Sequence, residues 1–266
     1  MNSGSRPNAR SYLERLATSG RYHFGSGDAQ KALGVSPAAA KLALNRLAKQ
    51  GLIASPARGF YVIVPPEYRS LASLPADQFI PALMQRLRLT YYVGLLSAAQ
   101  YHGAAHHRPQ EFQVMLAKSR RPITSGAVRV TFIVRKNISA IPVQSFNTPR
   151  GTVLVSTPEA TAIDLVGYPD HIGGLDQAAT ILGELAESLD AEKLVAAAKT
   201  APIPWAQRLG YLLVKAGAGE SAEALKSYVR QHARQTTLLL PNAPSDDAVR
   251  DNDWKLIVNA DVEAEL

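Results

Sequence analysis

The chain has 266 residues, 46% of them hydrophobic, with a formal charge of +7 and no cysteine. That length allows two domains or one large one, and the apolar fraction supports a packed core. The missing cysteines exclude a disulfide framework and thiolate metal sites, and they fit a reducing cytoplasm.

Residues 1–7 read as disordered and contain no apolar h-region, so no signal peptide is expected. No stretch approaches the apolar length of a membrane span. Residues 8–19 read as a helix, with Ala9, Tyr12, Leu13 and Leu16 at helical spacing and Gly20 as its stop. Residues 22–24 form a short extended piece. Ser26 is expected to cap a second helix over about 28–33. Gly34-Val35 then turns into a third helix, running from Pro37 to Gln50. Ser36 suits its N-cap, Pro37 its first position and Gly51 its C′ position. Residues 52–54 and 60–64 are apolar runs around the turn 55–59, which signals a hairpin. Helix, short strand, helix, turn, helix and hairpin make a winged helix-turn-helix, with the third helix as recognition helix.

At about 100° per residue, Ala40, Ala43, Leu44 and Leu47 fall on one side of that helix. Ala38, Lys41, Leu42, Asn45, Arg46 and Lys49 fall on the other. Lys and Arg read guanine in a major groove, and Asn reads adenine. Lys41, Asn45 and Lys49 are therefore assigned to bases, with Ala38 as a small residue near the helix start. Ser36, Arg46 and the hairpin-tip Arg58 are assigned to phosphates. A solvated amphipathic helix and a protein-binding winged helix are the alternatives. Charge favours double-stranded DNA. Residues 1–70 hold 10 Lys/Arg against 3 Asp/Glu, and residues 71–151 hold 10 against 2. Residues 152–266 hold 9 against 17. The basic stretch 71–151 leaves DNA, RNA and protein open as partners.

Residues 66–76 read as a linker. A helix is expected over 77–89 and a buried helix over 91–103. Strands are expected over 112–116, 128–134, 143–146 and 152–155, with a basic loop or hairpin tip at 118–122. Ser156 and Glu159 match a capping box, with Pro158 in the first turn of a helix reaching Gly167. Further helices are expected over 175–188, 191–200, 205–216 and 221–235, with Asp190, Pro204 and Ser221 as start signals, and a late strand over 254–258. The fold class is α+β: a winged helix-turn-helix over 1–70, then a mixed α/β domain over 71–266 with strands first and helices after.

Catalytic chemistry finds little support. His102 and His106 would share a face on a continuous helix, with His107 beside them, but Gly103 intervenes and no metal site is assigned. No phosphate loop or nucleophile elbow is present. A metal-dependent nuclease needs clustered carboxylates and a lysine. Asp170 and the pair Asp253 and Lys255 lie far apart in the chain. No cofactor is expected.

The run from Tyr22-His-Phe24 through Ala32-Leu-Gly-Val-Ser-Pro-Ala-Ala39 to Leu44-Asn-Arg-Leu-Ala-Lys-Gln-Gly51 and Arg58-Gly-Phe-Tyr-Val-Ile-Val-Pro-Pro-Glu-Tyr68 resembles the N-terminal domain of the AbiEi antitoxins. Tyr91-Tyr-Val-Gly-Leu-Leu-Ser-Ala-Ala-Gln-Tyr-His-Gly103, with Ala104 to His107, resembles the start of their C-terminal domain. Ser156-Thr-Pro-Glu-Ala-Thr-Ala-Ile-Asp-Leu-Val166, Gly173-Gly-Leu-Asp176, Gln207-Arg-Leu-Gly-Tyr-Leu-Leu213 and Trp254-Lys-Leu-Ile-Val-Asn259 extend the likeness over nearly the whole chain. The resemblance implies a non-enzymatic, cytoplasmic antitoxin of a bacterial type IV toxin–antitoxin pair, in a family tied to abortive infection and phage defence. It implies a winged helix that binds inverted repeats in the operon promoter and represses it. It also implies a C-terminal domain that counteracts a nucleotidyltransferase-like toxin, without requiring a stable complex. It carries no toxin-neutralising residues onto this sequence. The alternative is a stand-alone transcriptional regulator whose second domain senses a ligand or partner.

Overall fold

The computed structural model describes residues 8–104 and 110–264. The fold is α+β, as expected. Its first elements are α1 (Ala9–Thr18), β1 (His23–Gly25), α2 (Ser26–Leu33), α3 (Pro37–Lys49), β2 (Ile53–Ala57) and β3 (Phe60–Ile63). A 3₁₀ turn at Pro66–Leu71 leads to α4 (Ala76–Leu87), β4 (Tyr91–Val93), α5 (Leu95–Tyr101), β5 (Phe112–Leu116), β6 (Ile123–Ser125), β7 (Val128–Val134), β8 (Val143–Thr148) and β9 (Gly151–Ser156). Helices follow: α6 (Pro158–Gly167), α7 (Leu175–Leu185), α8 (Ala191–Ala198), α9 (Ile203–Lys215) and α10 (Gly219–His232). A small sheet closes the chain, with β10 (Thr237–Leu238), β11 (Val249–Asp251) and β12 (Leu256–Val258) in the order β10-β12-β11. Two compact units emerge. One holds Met1–Tyr91, Gln110–Val134 and Ser145–Val153; the other holds Tyr92–Pro109, Arg135–Gln144 and Leu154–Leu266.

The first unit contains the winged helix. Asn8 caps α1, its side chain accepting from the Arg10 amide at 3.1 Å. Ser36 caps α3, its Oγ accepting from the Ala39 amide at 3.3 Å. Gly51 leaves that helix with φ +69°, a conformation that glycine adopts without strain. The strands run β1-β3-β2, all antiparallel, with His23 opposite Val62 and Ile53 opposite Ile63. Beneath them Tyr12, Leu13, Phe24, Leu33, Leu44, Leu47 and Ile53 form one apolar cluster. Tyr12 meets Phe24 edge-on at 5.5 Å, and Phe24 stacks on Tyr61 at 5.6 Å.

Two local expectations are corrected here. Ser26 does not cap α2. Extended Gly25 (φ −94°) does, and Asp28 Oδ2 accepts its amide at 2.9 Å. The longer carboxylate reaches back across the first turn and adds a charge that favours a helix N-terminus. The hairpin turn is only Arg58-Gly59, not 55–59, because β2 continues through Ser55-Pro56-Ala57. The register shifts between Ala54 and Ala57, a bulge that accommodates a proline lacking an amide proton.

Residues 66–76 are not an open linker. After the 3₁₀ turn, Ser73 and Leu74 are fully buried, and the Ser73 and Ser125 hydroxyls lie 2.9 Å apart. Gly126 adopts φ +58°, and a Cβ there would stand 2.1 Å from the Leu71 carbonyl oxygen. The sheet strands of this unit run β6-β7-β5. Here β5 is parallel to β7 (Val114 opposite Phe132) and β6 is antiparallel to β7 (Ile123 opposite Val130). Gln113 to Leu116 are all buried, so β5 is covered on both faces.

Residues 91–103 are not one helix. Tyr91-Tyr-Val93 is a buried strand, and Gly94 starts α5. A continuous apolar run suits a buried strand or helix equally; the aromatic and β-branched triplet favours the strand. In the second unit Val93 pairs in parallel with Val155 of β9. Thr157, not Ser156, caps α6, accepting from the Ala160 amide at 3.3 Å. The Ser156 hydroxyl is engaged instead with that of Thr161 at 2.7 Å, and Glu159 accepts the Asp190 amide at 3.2 Å. Asp190 caps α8 as expected, accepting from the Lys193 amide at 2.9 Å. α10 starts at Gly219, ahead of Ser221. Gly210 lets the Trp254 ring approach so closely that a Cβ would meet it at 1.9 Å. Gln207 Nε2 fastens the small sheet to α9 through the Trp254 and Lys255 carbonyls at 3.1 and 2.9 Å.

Candidate nucleic-acid interface

The core side of α3 is set by Ala40, Leu44 and Leu47, all buried. Helical geometry then sends Ala38, Lys41, Asn45, Arg46 and Lys49 outward, and all five are exposed. The helix end adds to this. Ser36 lies exposed at the N-cap, where unpaired amides and the helix dipole favour an anion. Arg58 is exposed at the hairpin turn, in the same unit as α3. The exposed side also carries Leu42, 60% accessible, for which the sequence alone suggests no role.

A further cation of this unit comes from outside the winged helix. Arg150, in the turn between β8 and β9, places its guanidinium 3.4 Å from the Tyr22 ring centre and pairs with Glu67 at 3.1 Å. No signal near residue 150 announces that contact, because its partners lie far earlier in the chain. The first unit holds 17 Lys/Arg against 5 Asp/Glu, a net +12, and the second holds 12 against 17, a net −5. A strong positive field on the unit carrying α3 and the wing suits a polyanion.

The second unit is organised by a buried charge that sequence reasoning missed. Asp164, fully buried in α6, accepts from Arg135 Nε at 2.9 Å and from the Tyr92 hydroxyl at 2.6 Å. Arg135 also donates to the Thr200 carbonyl at 3.3 Å and lies 4.8 Å over the Trp205 ring. Burial pushes the Asp164 carboxyl upward, against the pull of Arg135 and Tyr92. Burial, helped by the Asp164 charge, pushes the neighbouring Tyr168 hydroxyl up to about 12. A carboxylate inside the apolar run Ala162-Ile-Asp-Leu-Val166 was the available signal, since such a group needs a partner.

The histidine and carboxylate candidates separate. His102 ends α5, its Nε2 2.7 Å from the Ser156 carbonyl oxygen. Burial lowers its pKa, and the Ser156 bond opposes that shift. His106 and His107 lie outside the described residues. Asp253 pairs with Lys226 at 2.8 Å and Arg230 at 3.2 Å, while Lys255 Nζ donates to the Ala233 carbonyl. Asp253 and Lys255 of the nuclease reading are thus committed to other partners. Among the described residues, no three His, Cys, Asp or Glu side chains are grouped to hold a metal. No helix among them is long and apolar enough to cross a membrane.

Residues 92–215 match the family model described as the AbiEi antitoxin C-terminal domain, which bears out the family resemblance over that span. No curated protein matches. The crystal structure of the RV2827C protein from Mycobacterium tuberculosis is similar in fold. It is 18% identical, with a TM-score of 0.69 over 95% of this chain and 92% of that one.

Proposed function

From the AbiEi antitoxin C-terminal domain that the chain carries over residues 92–215, we infer an antitoxin that is also a DNA-binding autorepressor. The domain supports the antitoxin role. The finer reading is that the winged helix binds inverted repeats of double-stranded promoter DNA and represses the chain's own type IV operon. The C-terminal domain, over 71–266, counteracts a cognate nucleotidyltransferase-like toxin without chemistry of its own. The observation that carries the DNA half is the pairing of an exposed cationic and amide face on α3 with Arg58 in a unit of net +12. Lys41, Asn45 and Lys49 take bases, with Ala38 giving close approach. Ser36, Arg46 and Arg58 take phosphates.

Co-expression with the adjacent gene tests the antitoxin half. The neighbour arrests growth when induced alone, and this chain restores it. Toxicity without rescue, or a harmless neighbour, would leave a stand-alone regulator as the better reading.

A further inference from the structure

We propose that Leu42 is a base-reading residue, and that it recognises the C5-methyl group of thymine in the operator. The proposal rests on the winged helix binding DNA through α3. Leu42 belongs to the stripe Ala38, Leu42, Asn45 and Lys49, spaced i, i+4, i+7 and i+11 along the helix. That stripe lies opposite the buried Ala40, Leu44 and Leu47, so Leu42 is not the fringe of the core. It is 60% accessible, on a helix whose other leucines, Leu44 and Leu47, are 2% and 5% accessible. Lys41 and Arg46 flank the stripe on either side, both exposed.

This arrangement selects the occupant. An exposed leucine in a frame of Lys41, Arg46 and Lys49 is ill suited to a second copy of the same face, because three cations would meet three cations. DNA complements that frame: Arg46 takes a phosphate, and Lys41 reaches the groove floor beside the stripe. The major groove offers one apolar feature, the thymine methyl, and apolar side chains contact it. Asn45, one turn further along the same stripe, carries the amide geometry that pairs with adenine. Leu42 and Asn45 together therefore read A·T pairs, with Ala38 small enough to let the helix approach.

The test uses the full chain and the DNA upstream of its own gene, in two forms. One contains thymidine; the other contains deoxyuridine throughout, which removes only the methyl groups. Fluorescence anisotropy measures the affinity for each. The unaltered chain should bind thymidine DNA at least about fourfold more tightly, the value for burying one methyl-sized group. Leu42→Ala should bind the two forms equally and match the affinity of the unaltered chain for uridine DNA. Its circular dichroism should be unchanged, because the site is solvated. Equal affinity of the unaltered chain for both forms overturns the methyl contact and leaves DNA binding standing. An equal preference in Leu42→Ala assigns the effect to DNA shape and also overturns it. Binding to neither form removes the DNA reading itself. A change in oligomeric state on Leu42→Ala would assign the residue to a protein interface instead.

Discussion

Replacing Asp164 with Ala should be the most damaging single change in the second unit. The carboxylate is wholly buried and holds Arg135 Nε at 2.9 Å and the Tyr92 hydroxyl at 2.6 Å. Removing it leaves the Arg135 guanidinium, whose side chain is 3% accessible, without its counter-charge. Breaking a buried pair from one side costs about 3–5 kcal/mol. The orphaned Tyr92 hydroxyl adds to the loss, but it shares the same site, so the two costs do not sum fully. A loss of about 4 kcal/mol is expected, a large fraction of the roughly 5–15 kcal/mol that holds a domain folded. With a urea slope of about 2 kcal/mol/M, the midpoint falls by about 2 M. Trp205 fluorescence reads it directly, since the ring lies under Arg135 and edge-on to Tyr168 at 5.2 Å. The double variant Asp164→Leu with Arg135→Met should recover part of the loss, because no isolated charge remains. A midpoint shift below about 0.5 M for Asp164→Ala, or a double variant as unstable as the sum of the singles, would refute the reasoning.

Lys41→Ala with Arg58→Ala should weaken promoter binding and flatten its dependence on log salt by about 0.9, through the phosphate that Arg58 no longer neutralises. Titrations at several ionic strengths check this, and an unchanged slope would misplace the interface. Gly126→Ala should lower Tm by several degrees, since the new Cβ lies 2.1 Å from the Leu71 oxygen at φ +58°. Gly20→Ala, with φ +74° and open space around it, should cost only the backbone strain, of the order of 1 kcal/mol. Stability should fall as pH drops from 7.5 to 5.5. Burial depresses His102 in the folded chain, so the unfolded chain takes up protons first, near the ordinary value of about 6.5. His102→Asn should flatten part of that profile, as measured by urea midpoints at each pH, the rest coming from His23, which burial lowers in the same way; an unchanged profile would remove His102 as a source.

What the sequence made readable were features written in neighbouring residues. Ser36, Pro37 and Gly51 bracket α3 because caps and breakers act within one turn, and the 3.6-residue period separates its two faces without reference to any other element. The misread elements depend on distant partners. Tyr91-Tyr-Val93 is a strand because Val93 has Val155 to pair with, and nothing within a dozen residues of Val93 reports that. Ser73 and Leu74 read as linker because the Ser125 hydroxyl that meets Ser73 lies in another strand. Pro56 read as a turn residue because the bulge that tolerates it is a property of the β2–β3 pair.

The same distinction governs the charges. Cut into the consecutive stretches 1–70, 71–151 and 152–266, the chain shows two basic blocks and one acidic block, and the middle block has no evident partner. Grouped by contact, Lys118, Arg120, Arg121, Arg129 and Arg150 join the unit that holds α3 and the wing, while Arg135 leaves it to neutralise Asp164. Two physical fates stand at the extremes. In the first unit most stand solvated, where a polyanion gains by releasing counterions. Arg135 is buried and spent on an internal partner, so it adds nothing to that field. Counting it with the surface cations overstates the basic middle of the sequence, and its single visible cue was the carboxylate set among the apolar residues of α6.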